Sequence, residues 1–268
     1  MLRLYRRAKV SVEKAAVLLK SYGLSGLFRT IIEYRVLKRT RYPIFIAPDG
    51  SVFILIQGFK GAIASTIDEV FIVREYSIIE DYEPKRGDTV IDAGAFIGAY
   101  TIYAARRANK VVALEPSPFR VLLLHNISMN NLHNVTVLPY ALANYNGYAD
   151  FFFNTIGPTV SSLYSSNKNE TKAIKVTVTT LDRLVENLGL KKINILKMDI
   201  EGAECLAIEG AQNLLREGSI ERIVLELHPW ICPRERLLNG LRPNYKLDYE
   251  MKTVISPRTI ILYFRNKR

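Results

Sequence analysis

The stretch that decides the fold of this chain is Val90-Ile91-Asp92-Ala93-Gly94-Ala95-Phe96-Ile97-Gly98. An apolar strand runs into an acidic residue and a turn with two glycines, and a helix is predicted over residues 97–108. Glycine lets the backbone approach a ligand closely and adopt dihedral angles that a Cβ disfavours. This order of strand, turn and helix predicts a ligand-binding loop at the carboxyl end of a strand in an α/β sheet.

The glycine spacing excludes one common kind of loop. A dinucleotide-binding loop carries three glycines in the pattern GxGxxG, and no register over residues 92–99 supplies them. The second predicted strand, over residues 110–115, ends in Glu115, where a carboxylate can bind both hydroxyls of a ribose. The loop and Glu115 together favour a nucleoside cofactor without a pyrophosphate. The alternative is that Gly94 and Gly98 only shape a tight turn and that Glu115 is a solvated strand end.

Strands and helices alternate through most of the remaining chain. Beyond the first strand, apolar runs predict strands at 110–115, 135–138, 193–198 and 220–227, with helices at 117–131 and 203–216 between them. A β-rich insertion is predicted over residues 147–180, and residues 245–249 and 259–264 are predicted to pair as an antiparallel edge. This pattern predicts a Rossmann-like α/β fold with a mostly parallel sheet.

Three parts are predicted along the 268 residues. Residues 1–41 form a basic amphipathic helical arm, residues 42–84 an extension with a β-hairpin and a helix near 66–80, and residues 85–268 the α/β domain. The arm has eleven basic and two acidic side chains, so it carries +9 of the net charge of +11. Apolar residues at helical spacing near these charges favour an anionic membrane surface over nucleic acid as its partner, and the alternative is that the arm packs on the core.

Several motifs make the pattern specific. They are Leu196–Glu204 (LKMDIEGAE), the Asp92–Gly98 loop, Glu115-Pro116-Ser117, Thr180-Leu181-Asp182 and Glu226-Leu227-His228-Pro229. Together they resemble the FkbM-type methyltransferases, which belong to class I, and the resemblance covers roughly residues 70–230. It implies an S-adenosylmethionine-dependent enzyme that methylates hydroxyls of sugars, glycans or small molecules. It also implies a set of cofactor-binding residues, namely Asp92, Gly94, Ala95, Phe96, Gly98, Glu115 and Pro116. Phe96 departs from the family, which commonly has a small polar residue such as Asn there.

The resemblance also implies that Asp199, Glu201 and Glu204 line the reaction site. Asp199 ends an apolar strand, and the two glutamates share one face at a helix start, where acids also stabilise the helix dipole without any chemistry. His228, at the end of the last parallel strand, is a candidate general base for the acceptor hydroxyl. No metal site is assigned, although Asp199 and Glu226 together offer an alternative in which a divalent metal acidifies that hydroxyl.

Two other functions compete with this interpretation. The basic arm would suit a nucleic-acid methyltransferase, but the sequence has no recognised RNA-binding module and no Asn-Pro-Pro-Tyr-type motif. The chain would alternatively be a membrane-surface or partner-binding protein with a vestigial core, but the intact Asp92, Glu115 and Asp199 argue against decay.

Cysteine usage and hydropathy predict where the protein works. Cys205 and Cys232 are the two cysteines, with no CxxC pair, so neither a disulfide nor a zinc site is predicted and a reducing compartment is expected. No apolar run approaches the roughly 20 residues that span a bilayer, and no signal peptide is recognised. The predicted location is cytoplasmic, with peripheral membrane contact through residues 1–41.

Overall fold

The structure, a computed structural model, describes residues 44–56, 59–154, 162–163, 171–253 and 258–268. The predicted arm over residues 1–41 lies outside them. The described strands, in chain order, are β1 (Ile44–Ile46), β2 (Val52–Ile54), β3 (Thr89–Ala93), β4 (Lys110–Leu114), β5 (Val135–Leu138), β6 (Tyr140–Leu142), β7 (Gly147–Asn154), β8 (Thr171–Thr179), β9 (Ile193–Met198), β10 (Ile220–Leu227), β11 (Tyr245–Lys252) and β12 (Ile260–Asn266). The α-helices are α1 (Lys60–Asp68), α2 (Ala99–Ala105), α3 (Arg120–Met129), α4 (Leu181–Asn187), α5 (Glu204–Glu209), α6 (Gln212–Glu217) and α7 (Arg234–Leu241).

A seven-stranded sheet in the order β11-β12-β10-β9-β3-β4-β5 forms the centre of the molecule. Strands β10, β9, β3, β4 and β5 are parallel, and β12 and β11 complete one edge in antiparallel register. The predicted Rossmann-like fold, with its antiparallel C-terminal edge, is confirmed. The direction of winding reverses between β3 and β9, and ligands of such sheets bind at this switch point.

The first strand shows why the central sheet is apolar on both faces. Val90 packs into a cluster on one face with the hairpin and helices α1 to α3, while Ile91 packs into a cluster on the other face with helices α4 to α7. Successive side chains of a strand point to opposite faces. A parallel strand covered on both sides therefore has a continuous apolar run rather than an alternating one.

The predicted N-terminal hairpin is present and lies against helix α3. Strands β1 and β2 pair in antiparallel register, and the side chains of Asn126 and Asn130 accept hydrogen bonds from the backbone of Ile54 and Val52 at 2.8 and 2.9 Å. These bonds satisfy backbone groups on the edge strand. The hairpin thus shares its apolar cluster with the α/β domain.

The helix predicted near residues 66–80 is wrong in its bounds. Helix α1 begins earlier, at Lys60, and passes into a π-helical segment over Glu69–Val73. The segment ends at Arg74, which adopts the left-handed conformation with φ of 60°. A left-handed residue at this position terminates a helix by turning the chain out of its axis. Residues 80–82 then form one short 3₁₀ turn.

The β-rich insertion predicted over residues 147–180 is a second, smaller sheet. Strands β6, β8 and β7 form it in that order, with β7 and β8 antiparallel. Residues 155–161 and 164–170 of the predicted insertion lie outside the described residues. Within the part of the chain that the structure describes, no helix combines the length and apolarity required to cross a membrane.

The prediction that the two cysteines stay unpaired is wrong. Cys205, on helix α5, and Cys232, in the loop after β10, form a disulfide with their Cα atoms 5.5 Å apart. Both residues are buried, and the pairing follows from the contact between neighbouring βα units rather than from any local cysteine motif. Disulfides persist mainly in oxidising environments. The argument from cysteine usage for a reducing compartment therefore does not hold, and the cytoplasmic location stays a prediction.

Candidate active site

A cavity of about 360 Å³ opens at the carboxyl ends of the central strands, on the switch point. One half is formed by the predicted loop and the end of β4, through Gly94, Ala95, Phe96, Glu115 and Pro116. The other half is acidic and comes from the π-helical segment and the turn after it, the ends of β9 and β10 and the residues that follow them, and the residue before β12. Its lining residues are Glu69, Tyr76, Asp199, Glu201, Glu226, His228, Trp230 and Thr259. The cavity therefore joins the two sets of predicted site residues.

The loop and the acidic half meet at Gly94. This residue has φ of 78°, and a Cβ placed on it would lie 1.8 Å from the backbone oxygen of Asp199. The backbone N–H of Asp199 also donates a 3.0 Å hydrogen bond to the carbonyl of Ala93. Only glycine fits such an approach, because both its dihedral angle and the available space exclude a side chain. The residue that the sequence singles out is thus the contact between the two halves of the site.

Glu115 stabilises the loop and lines the cavity at the same time. Its carboxylate accepts hydrogen bonds from the backbone N–H groups of Phe96 at 2.7 Å and Ser117 at 2.8 Å. Burial raises the pKa of Glu115, and these hydrogen bonds oppose that effect. Phe96, which has φ of 49°, packs its ring edge-on against Phe119. A carboxylate oxygen accepts more than one hydrogen bond, so Glu115 can still bind ligand hydroxyls.

Asp92 lies beneath the cavity and does not line it. It is fully buried, and its carboxylate makes a 3.1 Å ion pair with Lys197 and accepts a 2.6 Å hydrogen bond from Thr101. Lys197 also donates to the carbonyl of Gly94 at 3.2 Å. Burial lowers the pKa of Lys197, but the charges of Asp92 and Asp199 outweigh it and raise the pKa above its ordinary value. The sequence predicts that Asp92 contacts the cofactor directly. In the structure Asp92 instead supports the Gly94 loop from below, through Lys197.

Tyr76 connects the two acidic strand ends. Its hydroxyl lies 3.1 Å from a carboxylate oxygen of Asp199 and 3.1 Å from one of Glu226. Burial and the charge of Asp199 raise the pKa of Tyr76 well above its ordinary value. The hydroxyl stays protonated and donates its one hydrogen to one carboxylate at a time. Asp199 and Glu226 both line the cavity, and each carboxylate can accept further hydrogen bonds there.

His228 lies between two glutamates. Its Nε2 is 3.2 Å from Glu201, and its Nδ1 is 2.9 Å from the fully buried Glu204. Burial lowers the pKa of His228, but hydrogen bonds to Glu201 and Glu204 outweigh it and raise the pKa to about 12. In this arrangement the ring is an imidazolium that donates to both carboxylates. It differs from the general base that the sequence suggests, since a base must be able to accept a proton.

Burial raises the pKa of several carboxyl groups on this side of the cavity. It raises the pKa of Glu201 to about 7 against the opposing effect of His228, and that of Glu226 to about 8 with a further contribution from Asp199. Burial also raises the pKa of Glu69 to about 9, to which Glu75, Glu226 and Asp199 contribute. Buried like charges disfavour ionisation. A positively charged ligand group would favour the ionised form of these carboxyl groups, so the site is suited to a cationic ligand.

The structure brings most of the predicted site residues to the cavity. Gly94, Ala95, Phe96, Glu115, Pro116, Asp199, Glu201 and His228 line it, whereas Asp92, Gly98 and Glu204 support it from behind. Gly98 has φ of 91° and packs against Leu123 at the start of helix α2. Sequence reasoning missed Glu69, Tyr76 and Lys197. A lone lysine within the apolar strand β9 is a signal that could have identified Lys197, because an unpaired buried lysine is rare.

The cavity lies at the switch point of a Rossmann-like sheet, between the Gly94 loop and an acidic wall, and the chain is a methyltransferase. It belongs to the FkbM methyltransferase family, since the methyltransferase FkbM domain matches residues 92–256, more than half of the chain. The hexuronic acid methyltransferase AglP of Haloferax volcanii is 26% identical over 178 residues, which cover 63% of this chain and 71% of AglP. Methyltransferase 1 of Beauveria bassiana is 28% identical over 188 residues, which cover 61% of this chain and 75% of that protein. The crystal structure of a methyltransferase FkbM from Methylobacillus flagellatus aligns at a TM-score of 0.47 and 17% identity, covering 66% of this chain and 43% of that one.

Proposed function

We propose that this methyltransferase uses S-adenosylmethionine to methylate a hydroxyl group of a sugar, a glycan or a related small molecule. The observation that carries the proposal is the position of Glu115, at the end of β4 and on the wall of the cavity beside the Gly94 loop. A carboxylate there can accept hydrogen bonds from the two ribose hydroxyls. The loop contains no third glycine for a pyrophosphate, in keeping with a cofactor that has none.

The acidic half of the cavity supports this choice of cofactor and acceptor. The reactive sulfonium of S-adenosylmethionine is positive, and Asp199, Glu201 and Glu226 face the same space. Their oxygens can also accept hydrogen bonds from a polyhydroxyl acceptor. Trp230 lies at the cavity with 57% of its surface exposed, and an exposed indole face suits the apolar side of a sugar ring. AglP is a hexuronic acid methyltransferase, and a hexuronic acid is an acceptor of this kind.

Calorimetry with the full chain tests the cofactor. Wild-type protein is expected to bind S-adenosylmethionine and not NAD. Glu115→Gln is expected to bind at least about tenfold more weakly, because a hydrogen bond to a charged group contributes about 1.5–3 kcal/mol. The exposed Glu217 provides the matched control, and Glu217→Gln should leave the affinity unchanged. Preference for NAD, or no cofactor binding, would overturn the proposal.

Transfer of a labelled methyl group tests the acceptor. Uronic acids, neutral monosaccharides and a short RNA are incubated with enzyme and cofactor, and the products are digested to locate the methyl group. Label on a sugar oxygen supports the proposal, and label on RNA alone would move the function to the nucleic-acid alternative.

The partner of the N-terminal arm is a separate part of the proposal. The charge of +9 on residues 1–41, close to apolar residues at helical spacing, supports peripheral contact with an anionic membrane surface from the cytoplasmic side. Each basic residue near such a surface contributes about 1 kcal/mol. Sedimentation with anionic and neutral vesicles is expected to recover the full chain with the anionic vesicles only. Equal recovery with both, or with neither, would contradict this role.

A further inference from the structure

Three ligand-type atoms converge on one wall of the cavity. Asp199, Glu201 and His228 each offer one such atom, and these three atoms lie within 4.8 Å of one another. Asp199 follows β9 and His228 follows β10, two adjacent parallel strands whose carboxyl ends meet at this edge. We propose that Asp199, Glu201 and His228 bind a divalent metal ion that holds the acceptor hydroxyl beside the cofactor.

The orientation of the imidazole supports a metal ligand. Glu204 is fully buried and fixes Nδ1 of His228 at 2.9 Å, while the same oxygen of Glu204 accepts a 2.9 Å hydrogen bond from the backbone of Gly202. The other nitrogen, Nε2, is left to face Glu201 and the cavity. Metal-binding histidines have this arrangement, in which a carboxylate behind the ring fixes its orientation and raises its basicity. Glu204 is thus a positioning residue for the metal site.

The charge balance of the wall also supports a dication. Asp199, Glu201 and Glu226 surround His228 at the cavity, and Glu204 lies behind it, while the nearby Lys197 is engaged by Asp92. The second oxygen of Glu204 is buried and has no hydrogen-bond partner among the described residues. Without a metal, the imidazolium ring of His228 donates its Nε2 proton to Glu201 and its Nδ1 proton to Glu204. A divalent ion would replace that Nε2 proton and supply one further positive charge to the cluster.

Two carboxylates and one imidazole suit a first-row ion such as Mn²⁺, Fe²⁺ or Zn²⁺ better than Ca²⁺. Three protein ligands leave coordination positions open for substrate. An acceptor with two neighbouring oxygens, a 1,2-diol or a hydroxyl next to a carboxylate, would fill two of them.

This choice of acceptor rests on the proposed function. The positive ion would favour the ionised form of Glu226. The metal-bound hydroxyl would lose its proton to that carboxylate, and its oxygen would form a bond to the methyl carbon as the carbon–sulfur bond breaks. The electron pair of that bond returns to sulfur, so that the products are a methyl ether and S-adenosylhomocysteine.

Metal binding is tested directly, without activity. The full chain is treated with a chelator, dialysed and titrated with Mn²⁺ while free Mn²⁺ is measured by electron paramagnetic resonance. One site is expected, and the pulsed spectrum of the bound ion should show coupling to an imidazole ¹⁴N. His228→Gln and Asp199→Asn should abolish this site, and Glu204→Gln should weaken it about 10- to 100-fold. The exposed His125 gives the matched control, since His125→Gln should bind like wild type.

Cooperative unfolding in urea shows that each variant is folded. Calorimetry of the metal-free protein with S-adenosylmethionine separates this proposal from the proposed function. If the protein binds metal but not the cofactor, the metal site stands and the proposed methyl transfer is overturned. If it binds the cofactor but no metal, the proposed function stands and the metal site is overturned. The metal site is overturned if neither Mn²⁺, Fe²⁺ nor Zn²⁺ binds, if the ¹⁴N coupling is absent, or if folded His228→Gln binds Mn²⁺ as wild type does.

Discussion

Lys197 and Asp92 form an ion pair of 3.1 Å in which both side chains are almost completely buried, directly under the Gly94 loop. Asp92 belongs to β3 and Lys197 to β9, and the two residues are register partners across the sheet. The pair fixes the loop because Lys197 also donates to the carbonyl of Gly94. Its charges are separated from water by the aromatic rings of Tyr76 and Tyr100, over which the ammonium group lies.

Removing Lys197 should therefore destabilise the fold. Lys197→Met leaves a buried aspartate without its partner, which typically costs about 3–5 kcal/mol. The free energy of unfolding in urea measures it. Lys192→Met, which breaks the exposed pair with Glu221, is the control and should cost less than about 1 kcal/mol. The double variant Asp92→Asn/Lys197→Met should recover part of the loss; if it loses more than Lys197→Met alone, the burial argument is wrong.

Gly94 should tolerate a side chain far less well than another glycine with a positive φ whose Cβ position is free of neighbouring atoms. Gly94→Ala forces the loop away from Asp199, whose backbone oxygen occupies the position of the new Cβ. Calorimetry is expected to show loss of S-adenosylmethionine binding. Gly189, with φ of 62° and no atom within 4 Å of its Cβ position, is the control, and Gly189→Ala should cost only about 1–2 kcal/mol. Equal cofactor affinity in the two variants would contradict the close approach.

Asp199→Asn should abolish turnover while leaving cofactor affinity within a few fold. Asp199 faces the acidic half of the cavity, and loss of a group that activates the acceptor hydroxyl lowers rates by about 10²–10⁴-fold. Single-turnover transfer of a labelled methyl group, with an acceptor identified as above, measures the rate. Wild-type turnover in this variant would make Asp199 a structural residue.

Glu69 should make the fold less stable as the pH rises. Its pKa is about 9 in the folded chain and 4.5 ordinarily, so between these values the folded state holds a proton that the unfolded state has released. The free energy of unfolding then falls with increasing pH across this window, by at most about 1.4 kcal/mol per pH unit for one proton.

Urea denaturation from pH 5 to pH 9 in the presence of a chelator measures this slope. Glu69→Gln should flatten it, so that the variant gains stability relative to wild type towards pH 9. Glu80→Gln, at an exposed position, should keep the wild-type slope. An unchanged slope in Glu69→Gln would mean that another titrating group causes the pH dependence of the free energy of unfolding.

Reduction of the disulfide, which lies near the site, should lower the free energy of unfolding. The bridge closes 27 residues between Cys205 and Cys232, and a loop of this length corresponds to about 3.5 kcal/mol in the chain-entropy description. Urea denaturation with and without a reductant measures the difference. A Cys205→Ser/Cys232→Ser variant should be insensitive to the reductant. Two free thiols in denatured, unreduced protein would show that the bridge does not form.

The sequence predicts the parallel sheet and its binding edge well, because continuous apolar strands, a glycine turn and acidic strand ends are local patterns. Gly94 and Glu115 could be assigned in this way. The contact of Tyr76 with Asp199 spans 123 residues, and the disulfide joins Cys205 on helix α5 to Cys232 in the loop after β10. Neither has a periodic or local signature, since both depend on which units of the sheet become neighbours. The early end of the helix at Arg74 depends likewise on one backbone angle rather than on composition.

The approach of Gly94 to Asp199 has a consequence for engineering new specificity. The Gly94 loop and the start of the acidic wall are joined through backbone atoms, so mutations there act on both halves of the cavity together and rarely alter one alone. Trp230 and Leu163 line the same cavity from segments outside that junction. A library aimed at a different acceptor should therefore be built on those two positions, with the strand ends held constant.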